Sequence, residues 1–241
     1  VGAAVLVAGL AIVVVIEIQL ARAGSRLPDL NLVLDRPGTG RRLVWLGDST
    51  AAGVGASAPA GALPSQVSVG LDAADGSVSV LAVSVLAVSG ARVSDVLADQ
   101  VPKVAGLRPD LVLISVGAND TIHLTGRGTF RRTYEDLVRS LPPGVPVVLL
   151  GVPDMGAIPR FRQPLRALSG WRGRRIDAEV REVAAATGAV YVDIAGPTGG
   201  PFRRHPDRYF AADDFHPGDA GYGLWADAVL KVLRQEGLPG L

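Results

Sequence analysis

Four short polar clusters interrupt an otherwise apolar chain, and they carry the residue types of nucleophilic acyl chemistry. They are Gly47-Asp48-Ser49-Thr50, Ser89-Gly90, Gly117-Ala118-Asn119-Asp120 and Asp213-Asp214-Phe215-His216-Pro217. A serine hydroxyl is a weak nucleophile and needs a neighbouring general base. His216 is the candidate base for Ser49, and Asp213, three residues earlier, is the candidate to orient it and to stabilise the imidazolium. Asp214 competes for that orienting role. Attack on an ester carbonyl builds an oxyanion that needs preorganised donors. The backbone N–H of Ser49, the backbone N–H of Gly90 and the side-chain amide of Asn119 are the candidate donors. A glycine at 90 lets the backbone approach without a side chain in the way.

Each of these residues also has a plainer reading. Ser49 has the residue type of a helix N-cap. Gly90 reads as a turn, Asn119 as a loop cap and His216 as a helix cap. Asp48 and Asp120 read as carboxylates that bond the loops around the site. Pro153-Asp154 closes an apolar run and reads as a turn, with a place in a pocket wall as the sharper alternative. Phe202, Tyr209 and Phe210 form an apolar wall or pack their own loop. Of the remaining histidines, His123 reads as a loop residue, and His205 sits among Arg203, Arg204 and Arg208 as a solvated one. With no cysteine and three histidines in the chain, no metal and no cofactor are expected. The Gly-rich stretch Gly47–Gly55 superficially suits a phosphate-binding loop. It lacks the P-loop pattern and any nearby lysine, which makes a non-catalytic phosphate or nucleotide module the distant alternative.

The elements that must position these clusters follow from the apolar runs. Arg42–Leu46, Val78–Val88, Leu111–Val116, Val147–Val152 and Ala189–Ile194 are near-continuous, as in parallel strands buried on both faces. Helical patterns lie near 64–74, 92–105, 129–140 and 164–187, and from Pro217 to about 235. This alternation predicts a doubly wound α/β fold, a three-layer α/β/α sandwich on a five-stranded parallel sheet. In a flavodoxin-like 2-1-3-4-5 order the first strand lies between the second and third, so Ser49 falls between Gly90 and Asn119 at the carboxyl ends of the strands. Ser79–Val83 and Ser84–Val88 are a tandem copy of Ser-Val-Leu-Ala-Val. The second copy, which leads into Gly90, is expected to be the buried strand and the first an extension.

Val1–Ile16 is an apolar run with Gly, broken by Glu17 and Gln19. It is short for a spanning helix and fits a secretory h-region, so residues 1–23 read as a signal peptide or membrane anchor. A helix packed on the domain is the alternative. Residues 24–41, with Pro28, Pro37 and several glycines, read as a linker, and 42–241 as the catalytic domain. The 24 basic and 23 acidic residues leave a formal charge of +1, which gives no sign of a nucleic-acid surface. An extracytoplasmic location follows as the expectation, secreted or tethered through residues 1–20, with a cytoplasmic one as the alternative.

Taken in order, the four clusters resemble the conserved blocks of the GDSL/SGNH hydrolases: Gly47-Asp48-Ser49, Gly90, Gly117-x-Asn119-Asp120 and Asp213-x-x-His216-Pro217. The resemblance covers residues 42–235. It implies the SGNH hydrolase fold and hydrolysis of carboxylic esters, on small-molecule, lipid or glycan acyl substrates. A carbohydrate O-deacetylase or an acyltransferase would use the same triad. Thr50 stands where that family usually has Leu, and little consequence is expected from it.

Overall fold

The computed structural model describes residues 27, 32–35, 40–72 and 80–237. Residues 1–26, and with them the signal-peptide or anchor reading, lie outside the described residues. Six strands form one sheet in the order β1-β3-β2-β4-β5-β6: Val33–Asp35, Arg41–Gly47, Val80–Val85, Leu111–Ser115, Val147–Leu150 and Val190–Val192, numbered along the chain. β2 to β6 are parallel and take the predicted order. β1 is an addition to it. This three-residue strand pairs antiparallel with β3 and lies inside the stretch read as a linker.

Side chains along β2 alternate between two cores. Leu43 and Trp45 pack with the helices Leu63–Asp72 and Asp219–Glu236. Val44 and Leu46 pack with the helices Arg127–Arg139 and Leu165–Thr187. The strand's period of two therefore feeds both outer layers, as the continuous apolar runs required. Full burial of each such side chain contributes about 1.5–3 kcal/mol. Among the described residues, no helix is long and apolar enough to cross a membrane.

The tandem repeat resolves against expectation. β3 is Val80–Val85, mostly the first copy, and the second copy continues past it. Leu86 N–H donates to Trp45 O at 2.9 Å and Val88 N–H to Gly47 O at 3.1 Å. The second copy thus stays bonded to β2 as far as Gly47, the last residue of that strand, and carries the chain to Gly90. The helices Ala118–Ile122, Ala195–Arg204 and Pro206–Tyr209 were also not anticipated.

Candidate active site

β2 ends on Gly47, whose φ of 139° suits only glycine. A side chain there would collide with Ser115 O of β4. Gln100, 1% exposed, clamps this residue: it accepts from Gly47 N–H and donates to Gly47 O, both at 2.8 Å. Gln100 closes a π-type turn, Val96–Gln100, set between Val93–Asp95 and Val101–Leu107. Such turns are over-represented at functional sites.

The chain then turns at Ser49. Ala52 N–H bonds Asp48 O at 3.0 Å and Val54 N–H bonds Ser49 O at 2.9 Å. Ser49 Oγ lies 2.9 Å from His216 Nε2, and His216 Nδ1 lies 2.6 Å from Asp213 Oδ2. The hydroxyl is thus turned toward an imidazole, and the N-cap reading of Ser49 fails. The loop can reach His216 because Gly55 has no side chain; a Cβ there would lie 2.9 Å from His216 Cβ.

The carboxylate end is fixed by local geometry. Asp213 Oδ1 accepts the N–H groups of both Phe215 and His216, each at 3.0 Å. Ala211 N–H bonds His216 O at 2.8 Å and closes the loop. Asp213 is 4% exposed, whereas Asp214 is exposed and turns the chain with a φ of 55°. Asp213 therefore takes the position for which Asp214 was a rival. Burial works to raise the Asp213 carboxyl, but the hydrogen bonds from His216 and Phe215 prevail and hold it below its ordinary range.

Asn119 projects from the one-turn helix Ala118–Ile122, and its Nδ2 donates to Ala91 O at 3.1 Å. Gly90, with a φ of 84°, precedes Ala91, the residue that Asn119 bonds, and also lines a neighbouring depression. Neither Ser49 N–H nor Gly90 N–H donates to another group among the described residues. Ser49, Asn119 and His216 line a pocket of about 40 Å³ whose walls include Ile158, Phe202 and Phe215. Pro153, Asp154 and Phe210 also line it, while Tyr209 stands behind, stacked on Phe202 at 5.4 Å. His123 bonds Asn119 O at 2.9 Å outside the pocket, and His205 is exposed.

Two supporting residues escaped the sequence reading, Gln100 and Thr50. Thr50 Oγ1 donates to Asp48 Oδ1 at 2.8 Å and lies 2.8 Å from Ser115 Oγ, so its hydroxyl joins β2 to β4 beneath the nucleophile candidate. Thr50 is therefore consequential where little consequence was expected. Asp48, 1% exposed, also accepts Thr50 N–H at 3.0 Å. Burial pushes its carboxyl up to about 6, against the pull of the Thr50 bonds.

A stability signature follows. Between the unfolded value of 3.8 and about 6, the folded state binds the extra proton, so this group's contribution falls as pH rises through that window. The ionised form above it is disfavoured by about 3 kcal/mol, from about 1.4 kcal/mol per unit. Asp48→Asn keeps an acceptor for Thr50 and cannot ionise. Urea unfolding of both proteins from pH 4 to 7.5 is expected to show the variant gaining on the wild type by up to about 3 kcal/mol. A pH-independent difference would remove Asp48 as a titrating group.

The arrangement is competent for acyl chemistry. A neutral imidazole that donates Nδ1–H to Asp213 leaves Nε2 free to take the Ser49 proton. Residues 45–224 match the model of the GDSL-like lipase/acylhydrolase family. The chain belongs to that family. A GDSL-like esterase of Mycobacterium tuberculosis is 38% identical over 132 residues, which is 54% of this chain and 42% of that protein. The chain thus spans less than half the length of that curated relative. Among solved structures, a lipase/acylhydrolase from Enterococcus faecalis superposes with a TM-score of 0.65 at 25% identity, covering 81% of this chain and 96% of the other. A catalytic mutant of an acetylxylan esterase from Geobacillus stearothermophilus gives 0.60 at 24% identity, covering 82% and 96%. In this GDSL-like chain, no group of three or more His, Asp or Glu among the described residues is placed to hold a metal.

Proposed function

We propose that this chain is a serine carboxylic ester hydrolase that cleaves esters of short acyl groups. In this reading Ser49 is the nucleophile, His216 the general base and then acid, and Asp213 the residue that orients it. Ser49 N–H, Gly90 N–H and the Asn119 amide receive the oxyanion. The observation that carries the reading is the unbroken chain of hydrogen bonds from Ser49 through His216 to Asp213, at an apolar pocket.

The steps follow from that geometry. Ser49 Oγ attacks the carbonyl carbon as His216 Nε2 takes its proton. The oxyanion collapses, and the leaving alkoxide takes the proton from His216, which yields the alcohol and an acyl-serine. Water, deprotonated by the same nitrogen, attacks the acyl carbon, and His216 returns the proton to Ser49 Oγ as the acid leaves.

Pocket size supports a short acyl group. One water needs about 10–15 Å³ of such space, so the pocket holds about three water-sized groups. An acetyl group fits this limit. The same limit, with the fold shared by an acetylxylan esterase, favours carbohydrate O-deacetylation as a second reading. The apolar run Val1–Ile16 supports action outside the cytoplasm, by export or by a tether.

The test is hydrolysis of p-nitrophenyl acetate together with labelling by a fluorophosphonate, located by mass spectrometry. Turnover and one adduct per chain, on the peptide that holds Ser49, are expected. An adduct on another serine, or no turnover on any p-nitrophenyl ester, would overturn the reading. Release of acetate from acetylated xylo-oligosaccharides faster than from the aryl ester would establish the second reading.

A further inference from the structure

The pocket at Ser49 has a larger neighbour. A groove of about 330 Å³ opens beside it, lined by Arg174, Asp177, Arg181, Asp193 and Arg203. Pro153, Asp154, Met155 and Gly199 face both spaces, so one layer of side chains is all that separates them. Met155 is 1% exposed and belongs to the apolar core with Phe161 and Ile176. It fits against Gly173 of the helix Leu165–Thr187, where a Cβ would lie 2.7 Å from its Cγ.

Asp154 fastens the same layer on its other side. It forms an ion pair with Arg203, and its Oδ1 accepts Gly156 N–H at 3.2 Å. Gly199 makes room for that carboxylate, since a Cβ there would lie 2.9 Å from Oδ2. Arg203 and Gly199 both come from the helix Ala195–Arg204, which also supplies Thr198 and Phe202 to the pocket. The ion pair therefore ties the loop that carries Met155 to the helix that forms the opposite wall.

We propose that Met155 is the stop that limits acyl length, held in place by the Asp154–Arg203 pair. The inference rests on the pocket being the acyl side of the ester, as the proposed function has it. The groove behind Met155 mixes charged side chains with apolar lining from Val152, Pro153 and Ala195, and the pocket in front of it is mostly apolar. Met155 closes the way between them, so an alkyl chain is confined to the front space while the partition stands. Shortening Met155 joins the two spaces and gives the chain room for more methylenes. A single methylene in an apolar pocket is worth about 10- to 200-fold in discrimination.

The test compares kcat/KM for p-nitrophenyl acetate, butanoate and hexanoate in the wild type and in Met155→Ala. The wild type is expected to prefer acetate. In Met155→Ala the hexanoate-to-acetate ratio should rise about tenfold or more. Because the ratio is taken on one sample, it is independent of the fraction of competent enzyme. If the alanine variant yields no folded protein, Met155→Val carries the same test, with a smaller rise expected.

An unchanged ratio in a folded variant would overturn the stop. So would a changed preference among the alcohols of acetate esters with the acyl profile fixed, since that would place Met155 on the leaving-group side. Failure of the underlying function looks different: the wild type itself would then hydrolyse none of the three esters.

Discussion

Ser49→Ala is expected to lower kcat on p-nitrophenyl acetate by about a millionfold, and His216→Ala by a similar factor. The double variant should be no slower than either single one. The reason is geometric. Ser49 Oγ has its bond to His216 Nε2 at 2.9 Å, and neither group performs the proton transfer without the other. Two residues that act as one unit give grossly non-additive losses. Purified variants assayed at high enzyme concentration, with thermal unfolding followed in parallel, provide the measurement. The removed hydroxyl makes one hydrogen bond, worth about 0.5–1.5 kcal/mol, so the folded state should survive. Losses that multiplied in the double variant would show that the two residues act independently. A loss below a hundredfold in Ser49→Ala would place the nucleophile elsewhere.

Much of this site was legible because its residues lie at the ends of buried strands. Continuous apolar runs marked five parallel strands, and the polar residues that ended them had to collect along one edge of the sheet. Asp213 and His216 were legible as a pair because three residues on a turn bring them into contact. The parts that escaped notice depend on long-range contacts. Gln100 holds Gly47 across 53 positions, and no local pattern marks a buried glutamine as a clamp. Thr50 matters through Ser115, its partner on another strand. Asp154 and Arg203 meet only after the helix Ala195–Arg204 is docked.

That helix also contradicts its own composition. It holds Gly196, Gly199 and Gly200 as well as Pro201, residues that disfavour helix interiors. Tertiary packing outweighs this local preference. Phe202 sits at 4.9 Å from Phe210 and 6.3 Å from Trp225 between ring centroids. The tandem repeat failed for a related reason. The five-residue period turns equivalent residues of the two copies to opposite faces, and both copies run along β2, so pairing with β2 and not the local sequence sets the strand. β1 is three residues long and is specified by the open edge of β3 that it covers.

Asp213→Asn is the second large effect expected, a loss of about ten-thousandfold in kcat with the fold intact. The carboxylate's two oxygens have different tasks. Oδ1 accepts two backbone N–H groups, from Phe215 and His216, while Oδ2 faces His216 Nδ1 at 2.6 Å. An asparagine must leave its carbonyl oxygen on those two N–H donors, because its NH₂ group would oppose both. The NH₂ is then fixed against Nδ1 and makes that nitrogen an acceptor. His216 is left with its proton on Nε2, pointing at Ser49 Oγ, and cannot take the serine proton. The hydrogen bonds that hold the Asp213 carboxyl below its ordinary range keep it ionised around neutral pH. The loss in the variant should accordingly persist from about pH 6 to 8. Nitrogen NMR of the His216 ring gives a second readout: Nδ1–H in the wild type and Nε2–H in the variant. A variant within tenfold of wild-type activity, or one that keeps Nδ1–H, would mean that Asp213 does not set the tautomer. With the expected result, one carboxylate accounts for both the shape of the 213–216 turn and the direction in which the proton moves.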